Sequence, residues 1–321
     1  MHVFLTGGSG FIGTAVARRL VARGDRVTAV VRDPDRAEDL RALGIDLRQG
    51  DLKRTAAIVD AMHGTDAAIH LAGDYRVGIP ARDRAAMLDS NVSLVHRVLD
   101  AAATTGIERI LHTSTVNVFG DTHGRIVDER YRRDLSDGFL SYYDETKFLA
   151  HRSVEERIAA GARAVIVMPG MVYGRGDHSE LGAQLQGAYD GTRRYIAFPE
   201  TGISAVLVDD VAAGIVAALD RGRLGESYVL AGENTRIRDA MAVAARVGGK
   251  RLPRLVLPTP LVRLGSRTPG PLARLAGFPE DLHEVFMAAQ DVSYWASSAK
   301  AASELGYAPH DLASGIRSAF G

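Results

Sequence analysis

Short apolar runs alternate with amphipathic stretches through the first half of the chain. His2–Leu5, Arg26–Val31, Asp46–Gln49, Ala67–Leu71, Arg109–Thr113 and Ala164–Met168 read as strands, being short and bounded by glycine or polar residues. Between them, Phe11–Arg23, Ala37–Leu43, Asn91–Thr105 and Tyr142–Ala160 read as helices. Apolar strands separated by helices predict a parallel sheet covered on both faces, the doubly wound (Rossmann) α/β fold. After Pro169 the pattern changes. Gly170–Phe198 is glycine-rich and irregular, a strand–helix pair follows at Ala205–Asp220, and helices dominate from about Arg236, around a proline-rich passage at Leu252–Pro271. The expected organisation is a dinucleotide-binding domain over 1–169, to which 205–232 returns. A smaller, mostly helical C-terminal substrate lobe is expected from 170–204 and 233–321.

Composition narrows the function classes. Thirty-nine basic residues balance thirty-nine acidic ones. The whole chain therefore has no strong basic field, which disfavours nucleic acid and anionic lipid as partners. Absence of cysteine excludes disulfides, thiolate metal sites and cysteine nucleophiles. The ten histidines are dispersed, with no H-x-H or H-x-x-x-H grouping, so no metal site is expected. No run approaches the ~20 apolar residues of a membrane span. MHVFLTGGSGFIG lacks the pattern of a signal peptide, and a cytoplasmic location is expected.

Candidate chemistry begins at Thr6–Gly13, TGGSGFIG, directly after the first strand. Gly7, Gly10 and Gly13 permit a tight turn and close backbone approach to a pyrophosphate. Phe11 and Ile12 open a helix whose free N–H groups attract an anion. The second strand ends AVVRDPDRA, Ala29–Ala37. A carboxylate ending this strand would favour a ribose 2′-hydroxyl. Val31 and Arg32 stand there instead, with Arg36 a turn later, and guanidinium suits a 2′-phosphate. NADP(H) is therefore favoured over NAD(H), although the sequence leaves open whether Asp33 turns inward in place of Arg32. In SYYDETKFLA, Ser141–Ala150, only Tyr143 stands four residues before Lys147, on the same helical face. Tyr142 points about 100° away and is expected to pack. Tyr143 is the candidate proton donor, and Lys147 is expected to lower its pKa. Asp144 and Glu145 read as charges complementing the helix dipole. His178 either lines the pocket or is a solvated loop residue. The apolar–arginine segment Leu252–Phe278 either covers a lipophilic substrate or packs as ordinary helix.

With TGGSGFIG and Tyr143-Asp-Glu-Thr-Lys147 in a helix, the chain resembles the extended short-chain dehydrogenase/reductases almost from end to end. Gly50-Asp51-Leu52 resembles the family's adenine-contacting turn, and His70-Leu71-Ala72-Gly73 the strand end along the cofactor. Asn91-Val92 matches the helix-four asparagine, a relay or helix-positioning residue. LHTSTVNVFG, Leu111–Gly120, resembles the segment bearing the catalytic hydroxyl, which the resemblance places on Thr115; Ser114 is the alternative if the register shifts by one. Pro169–Gly174 resembles the loop beside the nicotinamide, which brings in Pro169 and Val172, and Val208-Asp209-Asp210-Val211 the later strand–helix junction.

Within the family the chain is most similar to the dihydroflavonol-reductase-like proteins and the hopanoid-associated sugar epimerases. Asp74-Tyr75-Arg76, LVDDVAAG, LGESYVLAGEN and SAKAASELGY carry that similarity. The resemblance implies an NAD(P)-dependent oxidoreductase. The expected function is NADPH-dependent reduction of a ketone or aldehyde on a relatively apolar small molecule, and a homodimer is implied. The alternatives are an epimerase or dehydratase acting on a sugar or sugar nucleotide, and a non-catalytic NADPH-binding sensor. Sugar-nucleotide members carry an acid where this chain has Val31, and an arginine where it has Thr201–Ala205, TGISA; both departures weigh against that alternative.

Overall fold

A computed structural model describes residues 1–321; the side chain of Arg36, one of the candidate phosphate contacts, lies outside the described residues. Six strands form in the expected order: β1 (His2–Thr6), β2 (Arg26–Val31), β3 (Asp46–Gln49), β4 (Ala67–His70), β5 (Ile110–Thr113) and β6 (Ala164–Pro169). Short strands β7 (Met171–Tyr173), β8 (Tyr195–Ile196) and β9 (Gly202–Leu207) follow. Then come β10 (Ser227–Leu230), β11 (Glu233–Arg236) and β12 (Leu255–Val256). The large sheet runs β10-β6-β5-β4-β1-β2-β3, parallel throughout. Its order reverses at β1, which pairs with β2 on one side and β4 on the other. Ligands of such sheets bind in the crevice beyond the carboxyl ends of the strands at this switch point.

Strand side chains alternate between faces, and here both faces are buried, so the strands read as continuous apolar runs. Leu5, Ile69, Leu111 and Val167 point to the side covered by the helices Phe11–Ala22 and Val208–Arg221. Phe4, Ala68, Ile110 and Ile166 point to the other side, under the helices Leu94–Thr105 and Tyr142–Ala159. A π-helical turn, Asp89–Ser93, joins the helix Ala81–Leu88 to Leu94–Thr105.

The strand Gly202–Leu207 does not enter the large sheet. It lies in a three-stranded sheet between β7 and β11, and the return to the large sheet begins with the helix Val208–Arg221 and ends in β10. A separate apolar cluster, including Tyr173, Leu185, Ile203, Met241 and Ile316, forms the core of this second region. Much of the rest of the C-terminal segment is helical, and it is tied back by His310, whose backbone N–H and ring Nδ1 contact Asp210 at 2.9 and 2.8 Å.

His70 and His112 are neighbours in register on β4 and β5, buried on the face beneath Lys147. The rings lie 5.4 Å apart. His70 is hydrogen-bonded to Thr6, whereas neither nitrogen of His112 has a partner among the described residues. Burial, with Lys147 adding to it, lowers His70 to about 3 and holds His112 well below its ordinary value. A histidine kept neutral in the fold but free to protonate when unfolded removes stability as pH falls below ~6.5. His112→Leu removes one such site and an unsatisfied buried donor, which costs about 1–3 kcal/mol. Thermal melts from pH 8 to pH 4 are expected to show a higher Tm and a shallower acid limb; an unchanged acid limb would count against this account.

Candidate functional site

Two glycines around the turn after β1 leave no room for a side chain. Gly7 has φ +72°, and a β-carbon there would lie 2.6 Å from the Ala72 amide nitrogen; one at Gly13 would lie 1.9 Å from the Gly7 carbonyl oxygen. The Gly10 N–H donates to that same oxygen at 3.0 Å. Phe11 and Ile12 begin the helix, which has neither a side-chain cap nor an acidic residue in its first turn. Its leading N–H groups and dipole therefore suit an anion. Thr6 fixes the loop after β4: its hydroxyl is 2.7 Å from His70 Nδ1 and accepts the Ala72 N–H at 3.3 Å. Leu71, Ala72 and Gly73 thereby form the wall facing the glycine loop. This narrow backbone cradle fits a dinucleotide pyrophosphate.

Arg32 is exposed beyond the end of β2, and its guanidinium has no partner among the described residues. The Asp33 carboxylate accepts the Asp35 N–H at 3.0 Å, capping the short turn Pro34–Arg36. Beyond β3, the Asp51 carboxylate accepts the Lys53 N–H at 2.9 Å, and the Leu52 carbonyl accepts from Arg97 at 3.0 Å. The Gly50 N–H donates to the Val31 carbonyl at 3.0 Å, bringing the β2 and β3 ends together. Pro169 ends β6 opposite Leu230, and Val172 lies in β7, partly buried against the core.

The helix Tyr142–Ala159 is capped by Ser141, whose hydroxyl accepts the Asp144 N–H at 3.0 Å. At the second residue of the helix, Tyr143 is buried with Thr115 beside its phenol. Ser114 turns away: its hydroxyl is 3.0 Å from His151 Nδ1. Burial, followed by Tyr75 and Asp144, pushes the Tyr143 phenol well above its ordinary value, and the Thr115 hydroxyl opposes the rise. The expected lowering by Lys147 is not seen. Lys147 Nζ donates to the Thr113 carbonyl at 3.0 Å, and burial lowers its own pKa to about 8. Asn91 lies in the π-helical turn. Its amide Oδ1 accepts the Asp74 N–H at 2.7 Å, and its Nδ2 donates to the Asp74 carbonyl and the Thr146 hydroxyl, each at 3.0 Å. It thus clamps the loop after β4 to the helix bearing Tyr143. His178 is exposed.

Sequence reasoning missed three features of this site. Tyr75 packs its ring edge-on against Tyr143, with centroids 4.8 Å apart at 84°. Asp144 is no surface dipole charge: it is buried in a bidentate pair with Arg133 at 2.7 and 3.1 Å, and also accepts the Leu140 N–H at 3.0 Å. Glu284, buried in the helix Leu282–Ala289, accepts the Gly78 N–H at 2.8 Å and the Tyr142 N–H. A single acid among apolar helical residues was the available signal for Glu284, but nothing in the sequence named partners so distant. Tyr142 itself lies 5.0 Å beneath the Arg84 guanidinium.

Comparison with known proteins shows the family and the fold. A Synechocystis sp. protein assigned as a dihydroflavonol 4-reductase is 31% identical over 94% of this chain and 89% of its own. The 2-alkyl-3-oxoalkanoate reductase of Stenotrophomonas maltophilia is 28% identical, covering 99% of this chain and 98% of its own. The crystal structure of gox2253 superposes with a TM-score of 0.84 at 31% identity, covering 99% of this chain and 96% of that one. The profile of the NAD dependent epimerase/dehydratase family matches residues 3–231. The chain belongs to that family, with the extended short-chain dehydrogenase/reductase fold, and is an NAD(P)-dependent enzyme.

Proposed function

We propose that the protein is an NADPH-dependent reductase of a ketone or aldehyde on a relatively apolar small molecule. The observation that carries the reading is the buried Tyr143 phenol, kept protonated well above neutrality, with the Thr115 hydroxyl beside it. A phenol in that state is a proton donor. The Leu71–Gly73 wall would hold a reduced nicotinamide, which would supply the hydride. Tyr143 Oη gives its proton to the carbonyl oxygen as charge develops there, and Thr115 Oγ1 donates a hydrogen bond to the same oxygen. Lys147, a cation below its pKa of about 8, is held on the Thr113 carbonyl at the end of β5. Asn91 acts by position, fixing the Asp74 backbone and Thr146. Arg32 carries the cofactor preference, since its guanidinium is free to meet a 2′-phosphate while Asp33 is engaged in its turn. The 2-alkyl-3-oxoalkanoate reductase relative, by its name, reduces a ketone on an alkyl chain, which supports the apolar substrate class.

Four measurements test this reading. With a ketone or aldehyde substrate, Tyr143→Phe is expected to reduce kcat by about 10²–10⁴-fold, the usual contribution of a positioned acid; unchanged turnover would refute the assignment. Arg32→Glu is expected to raise KM for NADPH roughly tenfold to a hundredfold, the worth of a hydrogen bond to a charged group, with little change for NADH. Denaturing the freshly purified protein to release stoichiometric NAD+ would instead favour a retained-cofactor epimerase. Lys147→Met is expected to abolish turnover yet raise Tm at pH 7. A lysine whose pKa falls on folding binds fewer protons folded than unfolded between pH ~8 and ~10.4, so the wild type gains stability across that window. The variant's advantage should therefore shrink as pH rises through it, and a constant advantage would show that charge burial is not the cause.

A further inference from the structure

The passage from Lys250 to Phe278 packs poorly for so apolar a sequence. Its two short helices, Thr259–Gly265 and Gly270–Leu275, bury no residue and Ala273 alone, respectively. Leu261, Leu264, Leu272, Leu275 and Phe278 are 63, 65, 58, 85 and 58% exposed. Isolated exposed leucines are ordinary, but Leu261 with Leu264, and Leu272 with Leu275, stand three residues apart on their helices, so each helix turns a pair of leucines to solvent. The charges are equally one-sided. Lys250, Arg251, Arg254, Arg263, Arg267 and Arg274 fall in this passage, which holds no aspartate or glutamate. Arg251, Arg254 and Arg267 have no side-chain partner among the described residues; Arg263 lies over Phe286 and Arg274 is 3.6 Å from Glu280. The balanced charge of the whole chain thus conceals a basic, apolar segment.

We propose that this segment docks the protein on an anionic lipid bilayer. Leucine and phenylalanine side chains would enter the boundary between headgroups and acyl chains, while arginines keep their charge at the lipid phosphates. Among the described residues no helix is long and apolar enough to cross a membrane, so the contact lies on the surface. A second copy of the chain fits less well, because an isologous pair would set the same cations against each other. Nucleic acid would leave the aliphatic side chains without a partner. The segment leads directly into Glu280 and Asp281, where Glu280 pairs with Arg82 and the Asp281 N–H donates to the Gly78 carbonyl at 3.0 Å. The lipid-facing surface is therefore continuous with the loop that carries Tyr75 to the candidate site. The proposal does not depend on the reductase reading, because binding is measured without turnover.

The test is co-sedimentation of the full chain with vesicles of phosphatidylglycerol and phosphatidylcholine in equal parts, and with phosphatidylcholine alone, at low and high salt. Binding is expected on the anionic vesicles and should weaken with salt. Arg254→Ala and Arg267→Ala should each weaken it roughly fivefold. The double variant Leu264→Ser, Leu275→Ser should weaken it at every salt concentration while leaving the far-UV circular dichroism unchanged. Absence of binding, equal binding to neutral vesicles, or no loss in these variants overturns the proposal. A concentration-dependent doubling of mass by light scattering, abolished by Leu275→Ser and without vesicle binding, assigns the surface to a second copy and also overturns it.

Discussion

The contact between the glycine loop after β1 and the backbone after β4 governs the site. At Gly7, a β-carbon would overlap the Ala72 amide, and at Gly13 one would overlap the Gly7 carbonyl. Strand order makes this contact necessary, because β1 and β4 are neighbours while the chain leaves them on opposite sides of the sheet. Thr6 and His70 lock the two strand ends together from within. The uncapped helix beginning at Phe11, the Leu71–Gly73 wall and, through Asp74, the Asn91 clamp all take their positions from that junction.

The same face of the sheet carries an unusual load of buried polar groups. His70, His112, Lys147 and the Arg133–Asp144 pair all lie on or near the Tyr142–Ala159 helix side. Desolvating such groups costs free energy that apolar residues would not. The arrangement suits a site whose chemistry needs a protonated phenol and a nearby cation in dry surroundings, with stability supplied by the apolar clusters on both sides of the sheet.

The large sheet was legible because continuous apolar strands have few other uses, and the glycine loop because its spacing repeats a backbone requirement. The facing of Tyr143 and Lys147 followed from helical spacing alone. Spacing could not distinguish Ser114 from Thr115, which depends on where the strand end turns; the structure gives Ser114 to His151. Nor could it show that Lys147 would reach Thr113 and leave burial to dominate the phenol. The strand opening Ala205–Asp220 was expected to return to the large sheet because it is equally apolar, but the observed strand, Gly202–Leu207, has β7 and β11 as its neighbours. The π-helical turn holding Asn91 has no pattern distinct from an α-helix.

Glu284 makes the C-terminal region a structural part of the site. Its carboxylate ends on the Tyr142 N–H, at the start of the helix bearing Tyr143, and on Gly78, in the loop bearing Tyr75. Undocking the Leu282–Ala289 helix would release both at once, leaving a helix N–H and a loop N–H without their acceptor. Docking of that helix and ordering of the two tyrosines therefore share one free energy. By reciprocity, whatever binds against the two tyrosines tightens the C-terminal region, and whatever loosens that region weakens binding by the same factor.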